Sequence, residues 1–484
     1  MQPRYLFIPL LAAFALACVA FVPLAGIGAS WRECDTQAMS LNLATESFDL
    51  LRPRIDWRGD TDGGVESEMP LYQAVVAAAL LVVGDVEWPG RMVSLLSAMV
   101  AAFALHGILG RATGSATAAA AGVTAFLASG ACVLTACRVM PDAFSLAAGL
   151  VGWDLLDRWL RGGRGFLLPL ATLATALGCL AKPTTLQVVM VQAVWILASA
   201  PRLLPRPAAL LHLALPCLAT LAWMVHAHGI HRETGLTFGV LAEGDSKVPH
   251  LSHLLAPGLH ASLARNALLF GPGIAGYLAF FVLLLRRRLE LRDAAVLVPM
   301  GLALVATMRY SASPDAGPHY HLWAAVGGAW TVARCWPLLG TRWLRLVAVA
   351  LILATAASSL LRERSFRGHA TTSPVLELAA VLRRGTAATD LVVIRSAKLE
   401  HDAFWDRPNN HEDPIVLYQS RRKGWVLPRD GWSIAILEDL RARGARAVVD
   451  QATWEPVAPV QEWLAAHAIE VSTAGAGPVH LLRR

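Results

Sequence analysis

The chain has 484 residues, of which 55% are hydrophobic and 16% are charged, with a mean hydropathy of +0.49. Soluble domains carry about 25% charged residues, so this composition excludes an ordinary soluble protein and indicates an integral membrane protein. The net charge is +7, but no basic stripe is interleaved with aromatic residues, which argues against a nucleic-acid partner. The seven cysteines form no Cys-x-x-Cys pair, so no zinc or redox motif of that kind is predicted.

Runs of sequence without charged residues mark the candidate membrane crossings, at about 20 residues for each. The first run is too long for the apolar core of a signal peptide, so we expect it to be a retained helix. The sequence contains twelve such runs, at 5–31, 69–84, 92–110, 112–137, 143–153, 165–181, 183–201, 207–230, 266–285, 294–308, 316–333 and 346–361.

The distribution of arginine gives the orientation. Thirteen arginines fall in connections that share one face, at positions 111, 158, 161, 164, 202, 206, 286–288, 292, 334, 342 and 345. Basic residues mark cytoplasmic connections. Both this face and Arg4 lie in the cytoplasm only if one of the runs before Arg111 does not cross the membrane. The short run 69–84, bracketed by Glu68 and Asp85, is therefore predicted to be a helix at the external interface. About eleven transmembrane helices remain, and a true second span at 69–84 is the alternative.

This topology divides the chain into a transmembrane domain, 1–361, and a soluble extracytoplasmic domain, 362–484. The transmembrane domain carries two long external segments, 31–91 with interfacial helices and 231–265. In the C-terminal part we predict helices at 376–384 and 432–443 and strands at 390–394, 414–418 and 445–450. Such alternation favours a small α/β domain.

Ionisable residues from five separate connections fall at the predicted external boundary of the membrane. Charged groups at helix ends on one face indicate an interfacial site rather than a path across the bilayer. Four of these residues also have a structural reading: an N-cap for Asp35 ahead of a helix at 36–43, a helix-terminal charge for Asp142, and snorkelling for Arg138 and Lys182. The residues are Asp35, Glu66, Glu68, Arg138, Asp142, Lys182, His319 and His321.

Two histidine groups have alternatives as well. His319-Tyr320-His321 begins a predicted span, where an interfacial aromatic cluster is the structural reading. His226, His228 and His231 have the loose spacing of metal ligands, and an exposed histidine-rich loop is the simpler interpretation.

Short stretches spread along the chain resemble the GT-C glycosyltransferases, in the branch of protein O-mannosyltransferases and lipid A aminoarabinose transferases. Their order and spacing carry the resemblance, which extends over nearly the whole chain. Glu68-Met69-Pro70-Leu71-Tyr72 departs from the family pattern, which has Lys where Met69 stands. In chain order, the other stretches are Asp35 after the first span, the turn 51–59, Arg91-Met-Val-Ser-Leu-Leu-Ser97, Arg138-Val-Met-Pro-Asp142, Lys182-Pro183, His319-Tyr320-His321 and Arg421-Arg-Lys-Gly-Trp425.

The resemblance implies a GT-C fold in the plasma (inner) membrane, with the active site and C-terminal domain on the extracytoplasmic side. It implies inverting transfer of a sugar from a polyprenyl-phosphate donor to a glycolipid, polysaccharide or protein acceptor. Asp35 is then the general base, with Asp142 and Glu68 as further catalytic acids. Substrate binding falls to Arg138, Lys182, His319, Tyr320 and His321. A divalent metal is an open question, with Asp142 and His319 as candidate ligands.

The sequence leaves two other classes of function open. A transporter or flippase of a lipid-linked substrate places paired charges near the middle of the bilayer and often shows repeats. The predicted spans hold almost no charges away from their ends, and no internal repeat is evident. A non-enzymatic envelope assembly or receptor protein is the other alternative.

Overall fold

The computed structural model describes residues 7–22, 30–239, 251–313, 317–371, 373–403, 406–471, 473 and 477–483. Part of the predicted loop 231–265, residues 240–250, therefore lies outside the described residues. The helices are α1 (Phe7–Phe21), α2 (Trp31–Thr45), α3 (Leu71–Val83), α4 (Trp88–Thr113), α5 (Ala116–Ala128), α6 (Gly130–Cys137), α7 (Asp142–Leu160), α8 (Leu167–Ala181), α9 (Gln187–Ser199), α10 (Pro207–Thr234), α11 (Leu251–Leu254), α12 (Pro257–Phe270), α13 (Gly273–Leu285), α14 (Leu291–Ala306), α15 (Met308–Ser311), α16 (Leu322–Cys335), α17 (Arg342–Thr371), α18 (Val375–Gly385), α19 (Ile415–Ser420), α20 (Ile434–Ala442) and α21 (Ala458–His467).

The strands are β1 (Leu391–Arg395), β2 (His401–Asp402), β3 (Arg407–Pro408), β4 (Lys423–Leu427), β5 (Ala445–Asp450), β6 (Ala468–Val471) and β7 (Val479–Leu482). The chain divides into two compact units. The first, called here the helical unit, comprises 1–24, 90–223 and 247–365, and the second, called the sheet unit, comprises 25–89, 224–246 and 366–484. The predicted domain boundary at 361 falls inside α17, four residues before the helical unit ends.

The apolar runs of the sequence form helices, several of which are interrupted. Among the described residues, α4, α10 and α17 are long and apolar enough to cross a membrane. Two bent pairs raise that number to five if each pair is one span: α5 with α6, bent by 64°, and α12 with α13, bent by 105°. Ser129 ends α5 and caps α6, because its hydroxyl accepts the amide of Cys132 at 3.2 Å. The total of about eleven crossings stays a prediction.

Helix α3 occupies the run 69–84 for which an interfacial position is predicted. Its 13 residues make it about 20 Å long, against roughly 30 Å for the hydrocarbon core of a bilayer. The length fits the predicted interfacial position, which itself stays a prediction.

The helical unit is organised around α16, which packs against α5, α13 and α14. Three buried indoles, Trp153, Trp195 and Trp330, lie in its core with ring centroids 5.3–6.2 Å apart. The indole of Trp195 donates to Asp157 at 3.0 Å, and that of Trp330 donates to Asp293 at 2.7 Å. The tryptophans of the core thus contact a layer of buried acids, Asp157 and Asp293, at one end of the bundle.

That layer pairs with arginines predicted to be cytoplasmic. Arg111 lies 2.6 Å from both Asp154 and Asp157, and Arg334 lies 3.1 Å from Asp293. Asp142 begins α7 and Asp157 lies near its other end, so about 22 Å of helix separates them. Asp142 and the arginine-paired acid Asp157 therefore lie near opposite ends of α7.

The C-terminal residues fold into the small α/β domain predicted for them. Its sheet has the order β4-β1-β5-β7-β6, with β4, β1 and β5 parallel and β7 and β6 antiparallel to their neighbours. The strands predicted at 390–394 and 445–450 and both predicted helices are confirmed as β1, β5, α18 and α20. The strand predicted at 414–418 is wrong, because these residues form α19.

The physical reason is local. The carboxylate of Asp413 accepts the amide of Ile415 at 2.9 Å, and Pro414 stands at the N-cap, so a helix begins there. A short apolar run is compatible with either a buried strand or a buried helix, and burial on α18 and α2 decides it here. The strand comes later, at β4.

The predicted first external segment does not form a separate structure. Residues 25–89 belong to the same compact unit as the C-terminal domain. Helix α2 packs against both α3 and α19, and Cys34, Ala38 and Tyr418 form a buried apolar contact between them. The sheet unit therefore joins parts of the chain that lie more than 300 residues apart.

Candidate active site

In the sheet unit, Asp35 is a buried carboxylate on α2. The predicted role as N-cap of a helix at 36–43 is wrong, because α2 begins at Trp31 and Ser30 caps it by accepting the amide of Glu33. Asp35 lies in the second turn with 1% of its surface exposed. The indole of Trp57 donates to its Oδ1 at 3.0 Å. A buried acid in this position has no capping function, so the structural explanation offered by the sequence is removed.

The environment of Asp35 favours a basic carboxylate. Burial raises its pKa well above the usual range, because a charge is poorly solvated there. The hydrogen bond from Trp57 and the charge of Arg32 oppose that effect, whereas the charges of Asp413 and Asp56 add to it. A carboxyl group whose pKa approaches the working pH is a stronger proton acceptor than an exposed one.

Glu68, predicted as a further catalytic acid, lies in the same unit. Its carboxylate forms an ion pair with Arg32, which also lies 5.7 Å above the ring of Phe238. Arg32 comes from the first turn of α2, one turn before Asp35. Arg32 and Trp57 are two functional candidates that the sequence did not single out, although Trp57 lies in the 51–59 turn noted there.

Glu66 and the histidine triplet also belong to the sheet unit. The backbone of Glu66 pairs with Leu236 and Phe238, and its carboxylate accepts the hydroxyl of Thr237. His228 Nδ1 lies 3.8 Å from that carboxylate, and His226 donates to the carbonyl of Leu51 at 2.7 Å. In the described part of the chain, no group of three His, Cys, Asp or Glu side chains is arranged to hold a metal ion.

In the helical unit, four of the predicted substrate and catalytic residues meet at one end. Asp142 at the start of α7 forms an ion pair with Lys182 at the end of α8, with 4% and 9% of their side chains exposed. Lys182 Nζ lies 5.6 Å from the ring centre of Tyr320, whose ring is 4.4 Å from that of His319. Asp142, Lys182, His319 and Tyr320 line one small cavity, together with Thr184 and Trp323.

Arg138 and His321 have partners of their own. The guanidinium of Arg138 binds Glu363 through two nitrogens, at 2.9 and 2.8 Å. Glu363 is 3% exposed and was not identified from the sequence, where it stands among arginines with nothing to distinguish it. His321 is fully buried, and its Nε2 donates to the carbonyl of Ser311 at 2.8 Å. His321 therefore fixes the connection before α16.

The cavity unites a cation, an acid and two aromatic rings, and such a set can bind an anionic or sugar-bearing group. The predicted metal ligands Asp142 and His319 both line it, but no third protein ligand among the described residues completes a site. The structure thus brings together Asp142, Lys182, His319 and Tyr320 within the helical unit. It places Asp35 and Glu68 in the sheet unit. Their chemical roles remain predictions.

Solved structures similar to this chain extend over its whole length. ArnT from Cupriavidus metallidurans, solved bound to undecaprenyl phosphate, has a TM-score of 0.62 at 13% identity, and the match covers 99% of this chain and 98% of ArnT. The chain has the GT-C fold. No protein-family model and no curated protein sequence matches it.

Two further structures with the GT-C fold match at lower similarity. The archaeal oligosaccharyltransferase AglB from Archaeoglobus fulgidus, in complex with an inhibitory peptide and a dolichol-phosphate, has a TM-score of 0.52 at 10% identity and matches over 99% of this chain and 74% of its own. The arabinofuranosyltransferase AftD from Mycobacteria has a TM-score of 0.52 at 13% identity. This chain spans 40% of the length of AftD.

Proposed function

We propose that this protein is an inverting glycosyltransferase that moves a sugar from a polyprenyl-phosphate donor to an extracytoplasmic acceptor. The observation that carries the proposal is Asp35, a buried carboxylate with a raised pKa, held by an indole N–H within a GT-C fold. Support for the donor class comes from ArnT, which was solved with undecaprenyl phosphate bound. The acceptor is a glycolipid, a polysaccharide or a protein, and the protein acts in the plasma (inner) membrane.

Asp35 serves as the general base in this proposal. An acceptor hydroxyl attacks the anomeric carbon from the side opposite the phosphate, so the configuration inverts. The new bond joins the acceptor oxygen to the anomeric carbon, and the bond between that carbon and the phosphate oxygen breaks. The hydroxyl proton passes to the Asp35 carboxylate, and polyprenyl phosphate leaves with the electron pair. A positioned base of this kind contributes about 10²–10⁴ in rate.

The proposal assigns the leaving phosphate to Lys182. A lysine ammonium is a compact positive charge, suited to stabilising the charge that develops on a departing phosphate. Asp142 holds this ammonium within the helical unit, and Tyr320 lies beside it. Arg138 is bound by Glu363, so we assign it a supporting position at the same end of the bundle. Glu68 orients Arg32 beside the base.

The test is transfer by purified full-length protein in lipid nanodiscs. The protein is incubated with an undecaprenyl-phosphate-linked sugar and a detergent extract of envelope as the acceptor source. We expect release of undecaprenyl phosphate and a mass increase of one sugar in an acceptor. Asp35→Asn should lose both products, whereas Asp60→Asn, which removes an exposed ion pair with Arg443, should retain them.

The outcomes separate the functional classes. A transporter would move the lipid-linked sugar across a sealed vesicle without releasing undecaprenyl phosphate. An assembly or receptor protein would do neither. Either result, or equal release by Asp35→Asn and the parental protein at equal amounts, would overturn the proposal.

A further inference from the structure

A segment from the first part of the chain, residues 56–59, binds to the edge of the C-terminal sheet. Strand β4 lies at the edge of the sheet, where unpaired backbone groups need a partner. The amide of Gly424 donates to the carbonyl of Asp56 at 3.1 Å, and the amide of Gly59 donates to the carbonyl of Gly424 at 2.7 Å. Two backbone hydrogen bonds therefore attach residues 56–59 to the edge of the sheet.

A buried polar network anchors the same segment. The ammonium of Lys423, the first residue of β4, donates to Asn42 Oδ1 at 2.6 Å and also bonds to the carboxylate of Asp56. Asn42 in turn donates to Asp56 Oδ1 at 3.0 Å and to the carbonyl of Arg54 at 3.1 Å. The side chain of Asp56 is 4% exposed, so this lysine neutralises a buried charge.

Trp57, the residue after Asp56, connects this network to Asp35. Asn42 and Asp35 are seven residues apart on α2 and so share one helix face. Trp57 directly follows Asp56, and its indole N–H donates to Asp35 Oδ1 at 3.0 Å. Its ring packs edge-on against Phe238, with the ring centroids 5.5 Å apart. The position of the indole is thus set on one side by Phe238 and on the other by the attachment of Asp56 to β4.

We propose that Lys423 and Gly424 of the C-terminal domain are positioning residues that hold Trp57 against Asp35. The inference rests on the proposed function, because it concerns the base of that reaction. It also assigns a purpose to the Arg-Lys-Gly-Trp stretch at 422–425. A Cβ on Gly424 would collide with the backbone of Val392, so β4 can pair with β1 at this position only with glycine.

The test combines amide hydrogen exchange with the pH dependence of transfer, in the full-length protein. In Lys423→Met we expect faster exchange in peptides covering 54–60. We also expect the acidic limb of the pH–rate profile to move to higher pH, by up to about one to two pH units, the shift expected from complete loss of the Trp57 bond. In Lys423→Arg both changes should be smaller than in Lys423→Met, because the guanidinium can still bind the Asp56 carboxylate.

Two further variants keep the test decisive. Lys423→Met with Asp56→Asn removes both charges, so it avoids leaving a buried charge alone. It should still show faster exchange at 54–60, with a smaller upward move of the acidic limb, because the Asp56 charge that raises the pKa of Asp35 is also gone. Arg429→Met removes an ion pair with Glu455 elsewhere in the same domain and should show neither.

Parental exchange at 54–60 in Lys423→Met and in the double variant would overturn the inference. Faster exchange with an unchanged pH–rate profile would also overturn it, since the segment would then be attached without acting on the base. If the parental protein transfers no sugar, the proposed function itself fails, and the catalytic part of this inference fails with it. The exchange data would still report on the attachment of the segment to β4.

Discussion

Replacing Trp57 with phenylalanine isolates the hydrogen bond that reaches the proposed base. Phenylalanine keeps an aromatic ring against Phe238 but removes the indole N–H that donates to Asp35 at 3.0 Å. This donor favours the charged carboxylate and opposes the effect of burial on the pKa of Asp35. Without it the pKa of Asp35 rises further, and the base is protonated over a wider range of pH.

The expected size of the effect follows from the type of bond. A hydrogen bond to a charged group contributes about 1.5–3 kcal/mol. One pH unit corresponds to about 1.36 kcal/mol, so the acidic limb of the pH–rate profile should move upward by about one to two units. On the acidic side of the limb, transfer should therefore fall by about ten- to a hundredfold, and alkaline buffer should recover much of it.

The assay is the initial rate of undecaprenyl phosphate release in nanodiscs from acidic to alkaline pH, with saturating donor. Trp463→Phe is the matched control, because it removes an indole bond to the carboxylate of Glu438 at 3.3 Å far along the chain. Its profile should follow that of the parental protein. A uniform loss of rate in Trp57→Phe at every pH, or no change at all, would refute the reasoning about Asp35.

Three other predictions follow from the same structure. Asp35→Asn should abolish transfer and raise Tm at neutral pH. Burial raises the pKa of Asp35, so its charged form destabilises the folded state at every pH above the ordinary pKa of a carboxyl group. A gain in Tm that persists in acid, where the carboxyl group is protonated in both the folded and the unfolded state, would contradict this. Asp142→Asn should lower the rate by about a hundredfold or more and also lower stability by about 3–5 kcal/mol, because it removes the acid of a buried pair with Lys182. Adding Lys182→Gln should recover stability without recovering rate, and parental turnover in Asp142→Asn would leave it a purely structural charge. Reporter fusions should place Arg287 in the cytoplasm and residue 484 outside; alkaline phosphatase activity after 288, or none after 484, would reverse the orientation.

The amino-acid sequence by itself determined the class of the protein and much of its helical organisation. Hydropathy and charge are local properties, so charge-free runs located α4, α7, α8 and α16 and placed acids and bases at their ends. Because Asp142, Lys182 and His319 all terminate helices, the alternation of the chain alone predicted that they share one end of the bundle. The cavity that they line agrees with that prediction.

Two local predictions failed where a competing contact was invisible in the sequence. Asp35 resembles an N-cap because acids favour helix starts, but Ser30 is the N-cap and the helix begins five residues earlier than predicted. Residues 414–418 resemble a strand because the run is apolar, but packing against α2 and α18 makes them a helix. In both places the alternatives have similar local energies, and burial against another element decides between them.

Only the tertiary structure decided what surrounds the proposed base. Trp57 lies 22 residues from Asp35, and Lys423 lies 367 residues from Asp56, so neither pair leaves a periodic or spacing pattern in the sequence. The union of 25–89 with the C-terminal domain in one compact unit has the same origin. Hydropathy predicts which residues are buried, whereas the pKa of a buried carboxylate depends on the donors and charges that distant segments place within a few ångströms of it.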